Sequence, residues 1–264
     1  MTQQVNAALT YAHYLRLDQV LTAQRPRSDR HDEMLFIVMH QVYELWFKQI
    51  LHELDRLQRL LASGDTARSG RALRRILALW RTSVAQFAVL ETMTPPEFVG
   101  FRDWLEASSG FESAQFREIE AVLGRRDRRV VERYLPGTPE RERIAAAMSR
   151  PALGDSFARY LVHQGYAVPA EVVGRDVREP AEPSPAMQDL LARVYSDDGP
   201  AVGVCEHLVD LDAVVQEWRH RHVKMVERVI GGKRGTAGSA GSAYLRTTVG
   251  KPVFPDLWAA RDRL

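Results

Sequence analysis

Apolar residues recur at intervals of three and four along almost the whole chain, and strictly alternating stretches are almost absent. This pattern predicts an all-α protein. A short helix is expected over residues 11–23, followed by a loop over 26–30. A long helix follows over 31–62, with Asp32 and Glu33 in its first turn, where the helix dipole favours acids. Residues 69–92 carry an apolar stripe through Leu73, Ile76, Leu77, Trp80, Val84 and Phe87. Thr94-Pro95-Pro96-Glu97 has the spacing of a capping box with proline in the first turn. Ser109 and Glu112 repeat that spacing and predict a helix over 111–123 that stops at Gly124. Two or three shorter helices are expected over 130–165, a surface loop rich in proline over 169–185, and a short helix over 186–195. A second long helix is predicted over 201–230, ended by Gly231 and Gly232, with short helical pieces around Tyr244 and Trp258.

The 264 residues read as one domain. A chain of this size buries roughly three quarters of its unfolded surface, so no disulfide framework is needed to stabilise it. Cys205 is the only cysteine, which points to a reducing, cytoplasmic setting and excludes a cysteine-built zinc site or a CxxCH haem attachment. A formal charge of +2, with basic residues scattered among acids, argues against a nucleic-acid partner. The polar first eight residues do not read as a secretory signal, and no run of about 18 apolar residues predicts a membrane span.

The two long helices carry the informative histidines. Leu208, Leu211, Val215, Trp218, His222, Met225 and Val229 are spaced alternately by three and four, one continuous apolar face with an imidazole in its middle. His220 points elsewhere, among Gln216, Glu217, Lys224 and Glu227. His40 has Phe36, Ile37, Tyr43, Glu44 and Phe47 as helical neighbours. A histidine in such a place, taken alone, is more often a hydrogen-bonded core residue than a ligand. Together they fit a pocket for a flat cofactor, one imidazole binding iron axially and the other lining the opposite side. No third ligand has helical spacing to either, so a zinc site is not indicated. Arg102 follows Phe98 and Phe101. It reads either as a fork for a carboxylate beside a packed ring or as a surface partner of Asp103 or Glu106. The glycine-rich stretch 231–241 lacks the GK[ST] ending of a phosphate loop and reads as a lid or a connector.

Several longer motifs carry a resemblance. They are Tyr11-Ala12-His13-Tyr14-Leu15-Arg16-Leu17-Asp18, His31-Asp32-Glu33-Met34-Leu35-Phe36-Ile37, and His40-Gln41 with Glu44-Leu45-Trp46-Phe47-Lys48. Further on come Gly100-Phe101-Arg102, Ser108-Ser109-Gly110-Phe111, Trp218-Arg219 with Arg221-His222-Val223, Val226-Glu227-Arg228, Lys233-Arg234-Gly235-Thr236, and Phe254-Pro255-Asp256-Leu257-Trp258. In this order they resemble the tryptophan 2,3-dioxygenase family from about Tyr11 to the C-terminus, thinly over 125–200.

The resemblance implies a helical bundle enclosing haem b between the two long helices, assembled as a homotetramer. His222 would be the proximal iron ligand. His40 would be the catalytic distal histidine, accepting a hydrogen bond from the indole N–H. Arg102 would hold the substrate carboxylate and Thr236 the ammonium group. Phe36, Phe98, Leu105, Ser109 and Gly110 would shape the pocket. Tyr11, Tyr14 and Leu15, in an exchanged N-terminal segment of residues 1–25, would reach a neighbouring subunit's pocket. The implied reaction, on ferrous haem, inserts dioxygen across the C2–C3 bond of L-tryptophan to give N-formylkynurenine. Two alternatives accompany it: a monooxygenase converting a substituted tryptophan, such as β-methyltryptophan, to a 2-oxindole, and a haem sensor without catalysis. Departures from the family pattern are Glu112 in place of glutamine, Ala237 in place of glycine, and a shortened loop before His31.

Overall fold

A computed structural model describes residues 9–106, 108, 112–231 and 242–264. Ser109, Gly110, Phe111, Thr236 and Ala237 lie outside the described residues. Among those described the chain is a helical bundle with no strand. The first long helix, α3 in chain order (His31–Ala62), has the expected boundaries. It follows two single-turn helices, α1 (Tyr11–Leu15) and α2 (Leu17–Val20). Helices α4 (Thr66–Ala85) and α5 (Phe87–Leu90) lead to α6 (Pro95–Arg102), and α7 (Ala114–Val122) comes next. Then come α8 (Pro139–Met148), α9 (Leu153–His163), α10 (Ala170–Val173) and α11 (Pro185–Ser196). The second long helix is α12 (Pro200–Ile230), and α13 (Ser242–Arg246) and α14 (Pro255–Ala259) close the chain.

The frame is α4 packed against both α3 and α12, with α7 and α9 also against α3. At about 1.5 Å per residue α3 and α12 are each roughly 45 Å long. Their apolar stripes meet in a core where Ile50, Leu54, Leu57, Leu61, Leu208 and Leu211 are fully buried. Truncating one such leucine to alanine costs about 2–5 kcal/mol. Toward one end the aliphatic core gives way to aromatics. Phe47, Trp80, Phe87, Phe116 and Trp218 form one cluster, with Phe116 stacked on Trp218 at 4.6 Å. A smaller apolar cluster of Met93, Phe98, Phe101 and Val229 lies beside it.

The structure departs from the sequence reading in four places. The helix expected over 11–23 breaks at Arg16, whose backbone is left-handed at φ 52°. Neither α1 nor α2 buries a residue, so no packing holds the turns in one helix. The helix expected from residue 69 starts at Thr66, because Asp65 caps it by accepting from the Arg68 amide at 2.8 Å, and it is interrupted at Gln86. The helix expected from 111 starts at Ala114, capped by Ser113, which accepts from the Phe116 amide at 3.2 Å. The stretch expected as a loop over 169–185 contains α10 and is tied down: Arg175 forks onto Asp155 at 2.7 and 2.8 Å, and the Ser184 amide donates to Asp256 at 3.0 Å. No described helix is long and apolar enough to cross a membrane.

Candidate active site

At the aromatic end, α3, α6, α7, α12 and α13 surround a cavity. Helix α3 supplies Phe36, His40, Tyr43, Glu44 and Phe47, which share one face. Helix α12 supplies Trp218, His222, Met225 and Val229, the continuation of its buried stripe, and Arg219 from the face beside it. Phe98 and Arg102 come from α6, whose start is fixed by the capping box: the Thr94 amide and hydroxyl donate to Glu97 at 2.7 and 2.8 Å. Leu105, Ser108 and Ser113 extend that wall, and Tyr244, Leu245 and Thr248 close it from the C-terminal side.

His40 lies with Nδ1 2.7 Å from the Phe36 carbonyl oxygen and its ring 4.0 Å from the Phe36 ring. A carbonyl oxygen only accepts, so this contact assigns the proton to Nδ1 and leaves the Nε2 lone pair unused. Burial pushes the His40 pKa down; the Phe36 carbonyl and the Glu44 charge oppose this without reversing it. His40 is therefore neutral at pH 7, a hydrogen-bond acceptor through Nε2.

His222 faces the same cavity. Its ring stacks on Phe87 at 6.0 Å and leans on Trp218 at 5.0 Å. Burial, with His40 and Arg117 nearby, pushes its pKa down to about 4. The imidazole is enclosed by protein and keeps part of its surface bare to the cavity. Among the described residues it has no hydrogen-bond partner.

The deep end of the cavity is charged. Glu120 is buried and accepts from Arg117 at 2.6 Å, Arg125 at 2.9 Å and Arg219 at 3.3 Å. Three guanidinium groups thus gather on one carboxylate. Beside them the indole N–H of Trp218 is buried without an acceptor among the described residues.

These features fit a haem. A neutral imidazole with no hydrogen-bond partner among the described residues is ready to bind iron. Aromatic walls suit a flat apolar ring, and the arginines around Glu120 suit its propionates. Among the described residues no group of three His, Cys, Asp or Glu side chains is placed to hold a metal ion.

Phe36, His40, Phe98, Arg102, Leu105 and His222, singled out in the sequence, surround this one cavity. Tyr11 and Tyr14 do not line it and are 76% and 71% exposed; Leu15 is also exposed. Glu112, which stands in place of the family's glutamine, is exposed and lines no part of it. Glu44 is an acid that does, held through Gln115, which donates to its carboxylate at 2.7 Å and its carbonyl at 2.9 Å. The sequence reading missed Phe87, Phe116, Arg117 and Glu120. Arg117 and Glu120 stand three apart on a short helix and look like a solvated pair.

The sequence pattern of the tryptophan 2,3-dioxygenase family matches residues 1–144 and 185–264. The chain belongs to the tryptophan 2,3-dioxygenase family. It is 58% identical over 261 residues to the tryptophan 2,3-dioxygenase of Anaeromyxobacter sp. (strain K), covering 98% of this chain and 97% of that protein. Identity to the tryptophan 2,3-dioxygenase of Herpetosiphon aurantiacus is 54% over 262 residues, 98% of this chain and 100% of the relative. Against that of Caulobacter vibrioides it is 40% over 259 residues, 97% and 98% of the two chains. The family match omits residues 145–184, inside the stretch where the motif resemblance is thin.

Proposed function

We propose that the protein is a haem-dependent tryptophan 2,3-dioxygenase that adds both atoms of dioxygen across the indole C2–C3 bond of L-tryptophan, giving N-formylkynurenine. The observation that carries this reading is the pair of neutral imidazoles on one cavity, one with its proton committed to a carbonyl and the other without a hydrogen-bond partner among the described residues. His222 would hold haem b through its iron, and Arg117 and Arg219 would receive the propionates. Bound haem, in the ferrous state, supplies the oxygen activation.

The chain's own residues bind and orient the substrate. His40 accepts the indole N–H through Nε2, which fixes the ring's orientation. Phe36, Phe98 and Leu105 pack the indole and keep water out. Arg102 takes the carboxylate with a two-pronged donor. By family resemblance Ser109 and Gly110 complete the pocket and Thr236 meets the ammonium group. Tyr11, Tyr14 and Leu15 would enter a partner subunit's pocket in a homotetramer, their burial there removing the apolar surface they expose here. Buried Cys205 is in keeping with a cytoplasmic protein. The names of the relatives favour insertion of two oxygen atoms over the monooxygenase reading. A carboxylate fork in the cavity wall serves an enzyme and has no use in a haem sensor.

The test is turnover. Haem-loaded, reduced protein given L-tryptophan in air should accumulate N-formylkynurenine, and His222→Ala protein should not. Loss of tryptophan without that product would overturn the reading.

A further inference from the structure

Helix α12 does more than carry His222. A stripe of polar residues, Asp212, Gln216, Arg219 and Glu227, runs along a neighbouring face and holds the C-terminal segment as it returns antiparallel. Glu227 accepts from Arg246 at 2.7 and 2.6 Å. Arg219 donates to the Thr248 carbonyl at 3.2 Å. Gln216 accepts from the Gly250 amide at 3.1 Å and donates to the Lys251 carbonyl. Asp212 accepts from the Val253 amide at 2.8 Å, the Phe254 amide at 2.9 Å and the Trp258 indole N–H at 3.0 Å, all on Oδ2.

Asp212 is the strongest point of this seam. It is 0% exposed, and no cation forms a salt bridge with it among the described residues. A buried carboxylate is expensive unless its hydrogen bonds are satisfied. Three donors converging on one oxygen can satisfy it only when the returning segment sits in a single register: Val253 and Phe254 are flanked by Pro252 and Pro255, so a shift by one residue either way would put a proline, which has no N–H, in one of the two amide positions. The same segment begins with Tyr244, Leu245 and Thr248, which form one wall of the substrate cavity.

We propose that Asp212 is a positioning residue for this cavity: it fixes the register of residues 244–258 along α12, and with it the wall made by Tyr244, Leu245 and Thr248. The inference rests on the tryptophan reading above for what occupies the cavity. It assigns Asp212 no contact with substrate or haem.

A purely structural role is separated from this one by a second anchor on the same tail. Arg261 donates to Glu206 at 2.7 Å and lies 5.4 Å from the rings of Tyr195 and Trp258, beyond the seam and lining no part of the cavity. The experiment compares Asp212→Ala, Asp212→Asn and Arg261→Ala as haem-loaded protein. It reads Tm, kcat and KM for tryptophan, and amide hydrogen exchange over residues 244–254. Asp212→Ala and Arg261→Ala should both lower Tm. Only Asp212→Ala should raise KM, by about ten-fold, and speed exchange at 244–248. Asp212→Asn keeps an acceptor oxygen and should recover part of both. If Asp212→Ala does not fold, Asp212→Asn carries the comparison, with a KM rise of about three-fold. A KM and an exchange pattern no different from those of Arg261→Ala would overturn the role of Asp212. A parent protein inert toward tryptophan would overturn the substrate reading instead, and hydrogen exchange would still decide the seam.

Discussion

The Nδ1 atom of His40 lies 2.7 Å from the carbonyl oxygen of Phe36, one turn earlier on the same helix. That contact decides which imidazole nitrogen is left to accept a hydrogen bond in the cavity. His40→Ala should therefore keep its haem and lose activity. A neutral hydrogen bond of this kind contributes about 0.5–1.5 kcal/mol, so kcat/KM should fall by up to roughly ten-fold. Loss of haem from this variant would place His40 on the wrong side of the iron.

His222 is expected to be the only protein ligand to the iron. His222→Ala should fold and fail to retain haem, read from the Soret band after gel filtration. His220→Ala is the control, since His220 is exposed, off the buried stripe. Full haem occupancy with an unchanged spectrum in His222→Ala would remove the assignment.

Arg102 is tested by changing the donor and the substrate together. Lysine keeps the charge and loses the fork. Hydrogen bonds to charged groups contribute about 1.5–3 kcal/mol, so Arg102→Lys should lower kcat/KM for tryptophan by roughly ten- to more than a hundred-fold. Tryptamine lacks the carboxylate and should be a poor substrate for the parent, with a much smaller further penalty from the mutation. Equal penalties on both substrates would mean a general defect and place the carboxylate elsewhere.

The sequence made the long helices legible because each presents an unbroken apolar stripe. The first has acids in its opening turn, and glycine follows the second at Gly231. The same stripes carried His40 and His222 to one cavity. Helix interruptions were not legible at Arg16 and Gln86, because each depends on what the flanking turns pack against. The Glu120 cluster and Asp212 were hidden for a related reason. Charged residues at helical spacing look solvated until distant segments close over them: Arg219 reaches Glu120 from 99 residues away, and Trp258 reaches Asp212 from 46.

Glu33 gives the fold a dependence on pH. Its buried carboxylate accepts from the Arg27 amide at 2.7 Å and the Ser28 amide at 2.8 Å. Burial alone would raise its pKa, but these bonds and the Arg27 charge outweigh that and hold it below the ordinary carboxylate value. A depressed pKa stabilises the fold above the unfolded value of about 4.3 and loses that contribution as pH falls through the folded value. Glu33→Gln should cost on the order of 1–3 kcal/mol at pH 7. The gap between parent and variant should close as pH falls below 4. An equal gap at pH 7 and pH 3, by urea denaturation, would contradict the assignment.

A tryptophan 2,3-dioxygenase directs both atoms of one dioxygen molecule into tryptophan. The decisive measurement is mass spectrometry of the product formed by haem-loaded, reduced protein from L-tryptophan under labelled dioxygen. The predicted result is N-formylkynurenine carrying two labelled oxygen atoms, one on the formyl group and one on the ketone. A product carrying a single labelled atom, in a 2-oxindole with the indole ring intact, would contradict it.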